Sequence, residues 1–369
     1  MNQEAIYSLA LTRLPGIGII GANHLVRKVG NATALFEERL HLKEQFPDIS
    51  DKIIAALDAP SAVNYAEKEI EYACSKRIQC LTLNSEAYPS RLRDCNDAPI
   101  LLFYRGNADL NMTRVINIIG TRRATDYGKG ICMRLMSELK ELQQDILVVS
   151  GLAYGIDINA HRAALQNGFS TVGVMAHGLD RIYPSVHRHT AIEMIDHGGL
   201  LTEYPSGTNP DPQNFVQRNR IVAGMSDATI VVESADKGGA LITASIANSY
   251  NRDCFAFPGR VTDAYSIGCN RLISTNRAQL IRNAEDLLNA MSWNVEHKAC
   301  MPVQRELFPD LSDNEMKICQ LLQQHEDGMQ INTLVVETDI PINKITGILF
   351  ELEMKGVVRA LAGSLYKLV

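Results

Sequence analysis

Four short stretches of this chain combine glycine, hydroxyl and basic residues in a way that suits the binding of an anion. Glycine lets backbone amides approach a phosphate closely, and arginine can hold two phosphate oxygens at once. Such residue types in one place predict an anion-binding site. The stretches are Gly120-Thr121-Arg122-Arg123, Ser150-Gly151, "NFVQRNR" with Phe215, Arg218, Asn219 and Arg220, and Lys237-Gly238-Gly239.

Each of these stretches follows an apolar segment that is typical of a buried strand. Between residues 113 and 290, such segments alternate with helical ones in the βαβ manner of a parallel sheet that is covered on both faces. Because parallel strands end at one edge, the four stretches should meet there, beside helix N-termini that present free N–H groups. The loop G-T-R-R-A-T lacks the second and third glycines of a dinucleotide fingerprint. The predicted strands are "VINIIG", "DILVVSG", "TVGVMAHG", "GLLTEYP", "ATIVVES" and "DCFAFPG".

Composition limits the class of protein. A length of 369 residues predicts two or three domains, and 46% hydrophobic with 21% charged residues is typical of a soluble globular chain. We expect a cytoplasmic protein, since we find no membrane-spanning run and no signal-peptide pattern. The eight cysteines form no C-x-x-C pair, so we expect reduced thiols and no metal site. A net charge of −6 excludes binding to nucleic acid by bulk attraction and requires a local basic patch.

The block over residues 1–70 has the apolar periodicity of helices. Its turn "LPGIG", Leu14 to Gly18, with the segment that follows, resembles a helix-hairpin-helix or SAM-like domain. Between Ala5 and Phe36 the chain carries three basic residues and no acidic one. Two interpretations stay open: backbone amides that approach a nucleic-acid phosphate, or a glycine turn that serves close helix packing. Residues 71–112 are predicted to be a loop-rich connector into the sheet domain at 113–290.

The C-terminal part is predicted to be a linker, 291–310, followed by a winged-helix domain at 311–369. Three helical segments precede two short alternating runs around Gly363-Ser364. In other proteins the third helix of this module reads the major groove. Residues 311–369 hold five Lys or Arg and eight Asp or Glu, a net of −3, and the third helix offers only Lys344. We therefore predict that this domain binds protein or packs against the sheet domain, with independent duplex binding as the alternative.

Several motifs, in their order and spacing, resemble those of the DNA-processing protein A family (DprA, also called Smf). They are "IIGTRRATDYG", "VSGLAYGIDINAHRAAL", "GLDRIYPSVHRH", "GGLLTEYPSGTNPDPQNFVQRNRIVAGMSDATIVVES", "KGGALITASIANSYNRDCFAFPG" and "GCNRLI". The resemblance implies a multidomain α/β protein with an extended Rossmann-like core. It further implies a non-enzymatic, homodimeric recombination mediator that binds single-stranded DNA and loads the RecA recombinase onto it during natural transformation.

The resemblance also implies roles for the four stretches, and the residues named in them above by number become candidate DNA contacts. Arg122 would hold a phosphate, Phe215 would stack on a base, and Lys237 would begin a second phosphate seat. The alternatives are a surface salt bridge for Arg122 and a core position for Phe215. Residues 218–220 should include one DNA contact, and at least one of the three should instead brace the loop. Members of the family often carry a lysine where this chain has Asp211-Pro212-Gln213, so that contact is either missing here or supplied by Arg260 or Arg271. The family places the dimer and RecA surfaces near Val261 to Ile281.

The main alternative to a DNA-binding mediator is an enzyme. The same Rossmann variant occurs in nucleotide phosphoribohydrolases of the LOG type, whose P-G-G-x-G-T-x-x-E loop carries a catalytic glutamate. The corresponding stretch here, "KGGALITASIA", lacks the proline, the Gly-Thr step and the glutamate. A mononucleotide sensor is a third interpretation. For Asp157 and His161 a structural hydrogen bond is favoured over an acid–base or metal pair. We therefore predict no catalytic residue, cofactor or metal.

Overall fold

A computed structural model describes residues 2–293, 311–325, 328–361 and 364–368. The chain divides into two compact units, Met1–Val295 and Glu296–Val369. Most of the predicted linker, residues 294–310, lies outside the described residues, and so does Gly363 of the predicted hairpin turn.

The first unit begins with short helices, in agreement with the predicted periodicity. Side chains at their starts accept backbone N–H groups that a helix leaves unpaired: Asn2 accepts from Ala5 N, and Asn31 accepts from Ala34 N at 2.7 Å. One apolar core runs without interruption from this helical region onto one face of the sheet. The helices are α1 (Gln3–Thr12), α2 (Ile19–Val29), α3 (Ala32–Glu37), α4 (Leu42–Gln45), α5 (Asp51–Ala56) and α6 (Pro60–Ser75).

The predicted connector at 71–112 contributes two strands to the sheet. These are β1 (Gln79–Thr82) and β2 (Leu101–Gly106), with the one-turn helix α7 (Ser90–Arg93) between them. Strand β1 pairs antiparallel with β2, and β2 pairs antiparallel with a later strand through Phe103 and Thr202. This segment therefore forms an antiparallel edge on an otherwise parallel sheet.

The central region contains the six predicted strands, which confirms the βαβ pattern. The strands are β3 (Val115–Ile119), β4 (Leu147–Ser150), β5 (Thr171–Val174), β6 (Gly198–Thr202), β7 (Ala228–Val231) and β8 (Asp253–Ala256), followed by β9 (Gln279–Leu280). The α-helices are α8 (Asp126–Glu141), α9 (Ile156–Gln166), α10 (Arg188–Asp196), α11 (Pro212–Gly224), α12 (Gly239–Ser249), α13 (Ile267–Ser274) and α14 (Ala284–Ala290), with a 3₁₀ turn at Ser185–His187.

The strand order places a switch point beside β3. In the described part of the chain the sheet has the order β1-β2-β6-β5-β4-β3-β7-β8-β9. The chain winds outward from β3 to β6 and then returns to the other side of β3 for β7 to β9. Adjacent side chains of β3 enter opposite cores, Val115 and Ile119 on one face and Ile116 and Ile118 on the other. Helices cover both faces, and ligands of such sheets bind at the carboxyl edge of the switch point.

The second unit has the predicted order of three helices and a hairpin. Its first helix starts with a capping box, in which Ser312 and Glu315 satisfy each other's backbone N–H groups. Its core contains Ile318, Leu334, Ile345 and Leu349. The strands have the order β10-β12-β11. The elements are α15 (Asp313–Gln323), β10 (Met329–Gln330), α16 (Ile331–Thr338), α17 (Ile342–Met354), β11 (Val358–Leu361) and β12 (Leu365–Leu368).

Within the described ranges, every helix is too short or too polar to cross a bilayer.

Candidate nucleic-acid interface

An open cleft of about 640 Å³ lies at the carboxyl edge of the sheet, where β3 and β7 end. Three of the four predicted stretches meet in it: two follow the neighbouring strands β3 and β7, and the third lies on α11, the helix after β6. Ser150, Gly151 and Arg220 do not line the cleft. The predicted residues that do are Gly120, Thr121, Arg122, Arg123, Phe215, Arg218, Asn219, Lys237, Gly238 and Gly239.

The loop after β3 is held in one conformation by its neighbours. The backbone N–H of Thr121 donates to the carbonyl of Glu233 at 2.7 Å, and its carbonyl accepts from Ile156 N at 3.1 Å. The Glu233 carboxylate accepts from the N–H of Thr125 at 2.9 Å and from its hydroxyl at 2.5 Å. A Cβ on Gly120 would lie only 2.4 Å from Ile156 Cγ1. Both ends of the loop are therefore fixed, and the side chains between them project from a rigid base.

Arg122 and Arg123 are exposed on this loop. Among the described residues, no carboxylate oxygen lies within 4.0 Å of either guanidinium, so the surface salt bridge considered for Arg122 does not form there. Instead, the Arg122 guanidinium carbon stands 5.2 Å from the centroid of the Phe215 ring. A cation that has no carboxylate partner keeps its full attraction for an incoming phosphate.

Phe215 lies in the first turns of α11 and is half-buried in the wall of the cleft. Pro212 starts this helix, at a position where its missing N–H costs nothing. The edge of the Tyr183 ring meets the Phe215 ring, with the centroids 5.9 Å apart. Asn219, four residues further, lines the same cleft because residues i and i+4 share a helix face. The position suits a ring that stacks on a base.

Arg218 lies at the base of the cleft and is only 3% exposed. Its guanidinium donates to the carbonyl of Gly151 at 2.8 Å and to the carbonyl of Val174. Burial lowers the pKa of Arg218 to about 10, and Asp157 partly offsets that effect. Arg218 ties α11 to the ends of β4 and β5, which is the bracing role predicted for one residue of this stretch.

Arg220, Ser150 and Gly151 also belong to the framework. Arg220 forms a buried ion pair with Glu203 at 2.5 Å. The Ser150 hydroxyl donates to the carbonyl of Ile118 at 2.6 Å, and the Gly151 carbonyl is occupied by Arg218. These three predicted contacts lie beneath or beside the cleft, not on its surface.

The Lys237-Gly238-Gly239 turn is exposed and opens α12 towards the cleft. A Cβ on Gly238 would meet nothing nearer than Ser234 Oγ at 3.8 Å, and one on Gly239 nothing nearer than Asn219 Nδ2 at 3.9 Å. Neither glycine has a positive φ in the left-handed region, so neither the backbone conformation nor packing explains them. Close approach of a ligand to these backbone N–H groups would explain them.

Asp157 and His161 have separate structural partners. His161 is fully buried, its Nδ1 lies 2.7 Å from the Thr171 hydroxyl, and burial lowers its pKa to about 3. Burial raises the pKa of Asp157, against the opposing influence of Arg218 and of nearby backbone N–H groups. Neither residue bonds to the other in the described structure, so they do not form the acid–base pair considered above.

The basic residues of the N-terminal hairpin are occupied within the protein. The Arg13 guanidinium stacks on the Tyr65 ring at 4.4 Å, and Lys28 is paired with Asp48. Arg27 donates to the side chain of Asn23 and to two backbone carbonyls. A Cβ on Gly18 would find no atom within 4 Å, so close helix packing does not explain that glycine.

The sequence interpretation missed Tyr183, which lies 46% exposed in the cleft. It comes from the long loop after β5, where eight residues separate it from the strand end at Val174, so no simple spacing placed it. Arg271, considered as a substitute contact, is instead paired with Asp236 at 2.6 Å.

Exposed basic side chains, the glycine turn that opens α12 and an aromatic ring thus line one cleft of a Rossmann-like α/β protein. The family model of DNA recombination-mediator protein A matches residues 79–292, and that of the DprA winged-helix domain matches residues 305–364. The chain belongs to this family of DNA-processing recombination mediators. The predicted family, fold class and general role are therefore confirmed.

Individual relatives agree with this assignment. The chain is 29% identical to Protein Smf of Synechocystis over 99% of both chains. It is 36% identical to the DNA processing protein DprA of Streptococcus pneumoniae, over 58% of this chain and 74% of that one. The X-ray structure of that protein matches with a TM-score of 0.61 at 30% identity, covering 78% of this chain and 98% of the other.

A second solved structure concerns the single-stranded DNA binding mode of DNA processing protein A from Helicobacter pylori. It matches with a TM-score of 0.53 at 30% identity and covers 59% of this chain and 96% of that one.

Proposed function

We propose that the cleft binds single-stranded DNA without regard to sequence. Arg122, Arg123 and Lys237 would neutralise phosphates, the N–H groups at Gly238 and Gly239 would hold phosphate oxygens, and Phe215 would stack on a base. The single-stranded DNA binding named for the Helicobacter pylori relative supports this choice of ligand. The proposal rests on one observation. Basic side chains that have no carboxylate partner among the described residues line the same open cleft as a half-buried aromatic ring.

The biological role we propose is protection of incoming single strands and loading of RecA onto them during natural transformation. The family of recombination mediators supports this role. We further propose that the chain acts in the cytoplasm as a homodimer that pairs through residues 261–281. Val261, Ile267 and Leu280 are exposed apolar side chains in that segment, 86%, 40% and 40% accessible, and support a contact surface there.

The chain is proposed to act without catalysis. In the described cleft, the lining carboxylate is Asp157, which is buried beside Arg218 and therefore poorly placed to accept a substrate proton. The alternative is a nucleotide-binding or phosphoribohydrolase-like enzyme on the same fold. An enzyme of that type would release free base from a mononucleotide, whereas the proposed mediator would leave it intact.

The domain boundaries given above, 1–70, 71–112, 113–290, 291–310 and 311–369, remain our proposal for the modular organisation. The winged-helix domain is proposed to bind protein or its own core. Its third helix exposes Ile342, Phe350 and Met354, and it carries Glu351 and Glu353 where a DNA reader needs cations.

A gel shift with single- and double-stranded DNA of equal length, at two salt concentrations, tests the proposal. We expect tighter binding of the single strand, and binding of both should weaken as salt rises. Tighter binding of the duplex would contradict it. A parallel titration with a mononucleotide separates the alternatives, since a nucleotide enzyme would bind it as tightly as the oligonucleotide.

A further inference from the structure

Two exposed tyrosines lie at the rim of the cleft on the side of β4 and β5. Tyr183 is 46% exposed and lines the cleft, in edge contact with Phe215. Tyr154 is 47% exposed and directly follows Ala153, which also lines the cleft. Large aromatic rings at a surface lose apolar contact with the protein core, so two of them beside one site point to a ligand.

A buried histidine joins the two segments that carry these rings. His187 Nδ1 lies 2.9 Å from the carbonyl of Leu152, and the edge of its ring meets the Tyr154 ring at 5.1 Å. His187 is only four residues beyond Tyr183. The loop after β4 and the loop after β5 are therefore fixed to each other, and neither tyrosine sits on an unsupported segment.

Basic residues accompany the rings. Arg188 directly follows His187 and is exposed, and Arg162 is exposed with its Nε 3.4 Å from the Thr190 hydroxyl. In the part of the chain described here, no carboxylate oxygen lies within 4.0 Å of either guanidinium. Aromatic rings interleaved with free cations are how proteins follow a single strand without reading its sequence.

We propose that Tyr183 and Tyr154 continue the base-stacking surface that begins at Phe215. The strand would then leave the cleft towards β4 and β5, past Arg188 and Arg162, and not towards β8. This path rests on the proposed function, because it extends the same site. It assigns to the two tyrosines the stacking of bases next to the one on Phe215.

Alanine substitutions of the two tyrosines test the path, with Tyr127→Ala as the matched control. Tyr127 is 50% exposed and lies outside the cleft lining, its hydroxyl donating to the carbonyl of Pro258 at 2.6 Å. Binding of a fluorescent single strand of some tens of nucleotides would be measured by anisotropy. Tyr183→Ala and Tyr154→Ala should each raise Kd about 5- to 150-fold, the effect of one lost stacking contact.

Two further measurements separate stacking from structural damage. Tyr183→Phe and Tyr154→Phe should keep the affinity, since the ring remains and only the hydroxyl is lost. On a strand whose central nucleotides are abasic, the alanine variants should bind as well as the unchanged protein, because no bases remain to stack. Thermal melting of each variant confirms that the folded protein is being titrated.

The outcomes distinguish this path from the proposed function. If both tyrosine variants match Tyr127→Ala while Phe215→Ala weakens binding, the path is wrong and the site stands. If Tyr183→Ala weakens binding and Tyr154→Ala does not, the proposed stacking of a base on Tyr154 is wrong. If Phe215→Ala also binds normally, the proposed site itself fails, and the path fails with it.

Discussion

The N-terminal hairpin carries three basic residues and the cleft is lined by four, yet the two sets differ in what their charged groups contact. In the hairpin, Arg27 donates to backbone carbonyls and Lys28 is paired with a carboxylate, whereas Arg13, like Arg122 in the cleft, lies against an aromatic ring. In the cleft, Arg122, Arg123 and Lys237 are exposed and, among the described residues, lack a carboxylate partner. A basic residue contributes to phosphate binding only when its charge is not already used inside the protein.

A second contrast lies within the cleft, between Arg122 and Arg218. Both flank Phe215, with guanidinium carbons 5.2 Å and 6.0 Å from the ring centroid. Arg122 is exposed, whereas Arg218 is buried and holds two strand-end carbonyls. One arginine is therefore available to the ligand, while the other fixes the helix that presents the ring.

Removing Arg218 should give the largest effect, and the effect should be on stability. Arg218→Met would leave the carbonyls of Gly151 and Val174 unpaired and Asp157 without its buried counter-charge. We expect a loss of about 1–3 kcal/mol in the free energy of unfolding for each carbonyl that is left buried and unpaired. Urea denaturation measures it. A variant as stable as the parent would refute the bracing role.

Removing the Phe215 ring should give the second-largest effect, and this effect should be on binding. Phe215→Ala should weaken single-strand binding by about 1–3 kcal/mol and leave its salt dependence nearly unchanged, since stacking releases few counterions. The ring is half-buried, so melting must be recorded beside the binding curve. A large fall in melting temperature, with normal affinity in the fraction still folded, would mean that Phe215 is a core residue and not a stacking platform.

A smaller effect is expected at the turn that opens α12. Gly238→Ala should fold normally, because a Cβ there meets only ordinary contacts, the nearest at 3.8 Å. It should weaken binding by about 1 kcal/mol, one hydrogen bond, by holding the phosphate away from the backbone. Gly120→Ala serves as the contrast: its Cβ would clash with Ile156, so it should lose stability. Unchanged binding by Gly238→Ala would show that the strand does not approach this turn.

Much of this arrangement could be predicted from the sequence, because the sheet's topology follows from local patterns. Six apolar runs that end at glycine or polar turns gave six parallel strands, and parallel pairing brings their ends together. Strands β1, β2 and β9 were not predicted. Strand β2 is a continuous apolar run like the predicted strands but lies in a segment that was interpreted as a loop-rich connector, and β9 has only two residues, too few to show a period.

Individual roles within a stretch were harder to predict, for physical reasons. Arg218, Asn219 and Arg220 are consecutive on one helix, so each faces a different direction. The i, i+4 relation between Phe215 and Asn219 identifies the face towards the cleft, but which face that is depends on how α11 packs on the sheet. Tyr183 lies on a long loop whose path is set by tertiary contacts and not by periodicity.

The most direct test compares Arg122 with Arg27. In the described part of the chain the Arg122 guanidinium has no carboxylate partner, whereas Arg27 donates hydrogen bonds to Asn23 and to two backbone carbonyls. Single-strand affinity would be measured over a range of salt for Arg122→Ala and Arg27→Ala, with circular dichroism confirming that both are folded. We expect Arg122→Ala to reduce the slope of log K against log salt by roughly 0.7, the value for one phosphate contact on a single strand. Arg27→Ala should leave the slope unchanged. An unchanged slope and affinity for Arg122→Ala, or an equal reduction for both variants, would contradict the account.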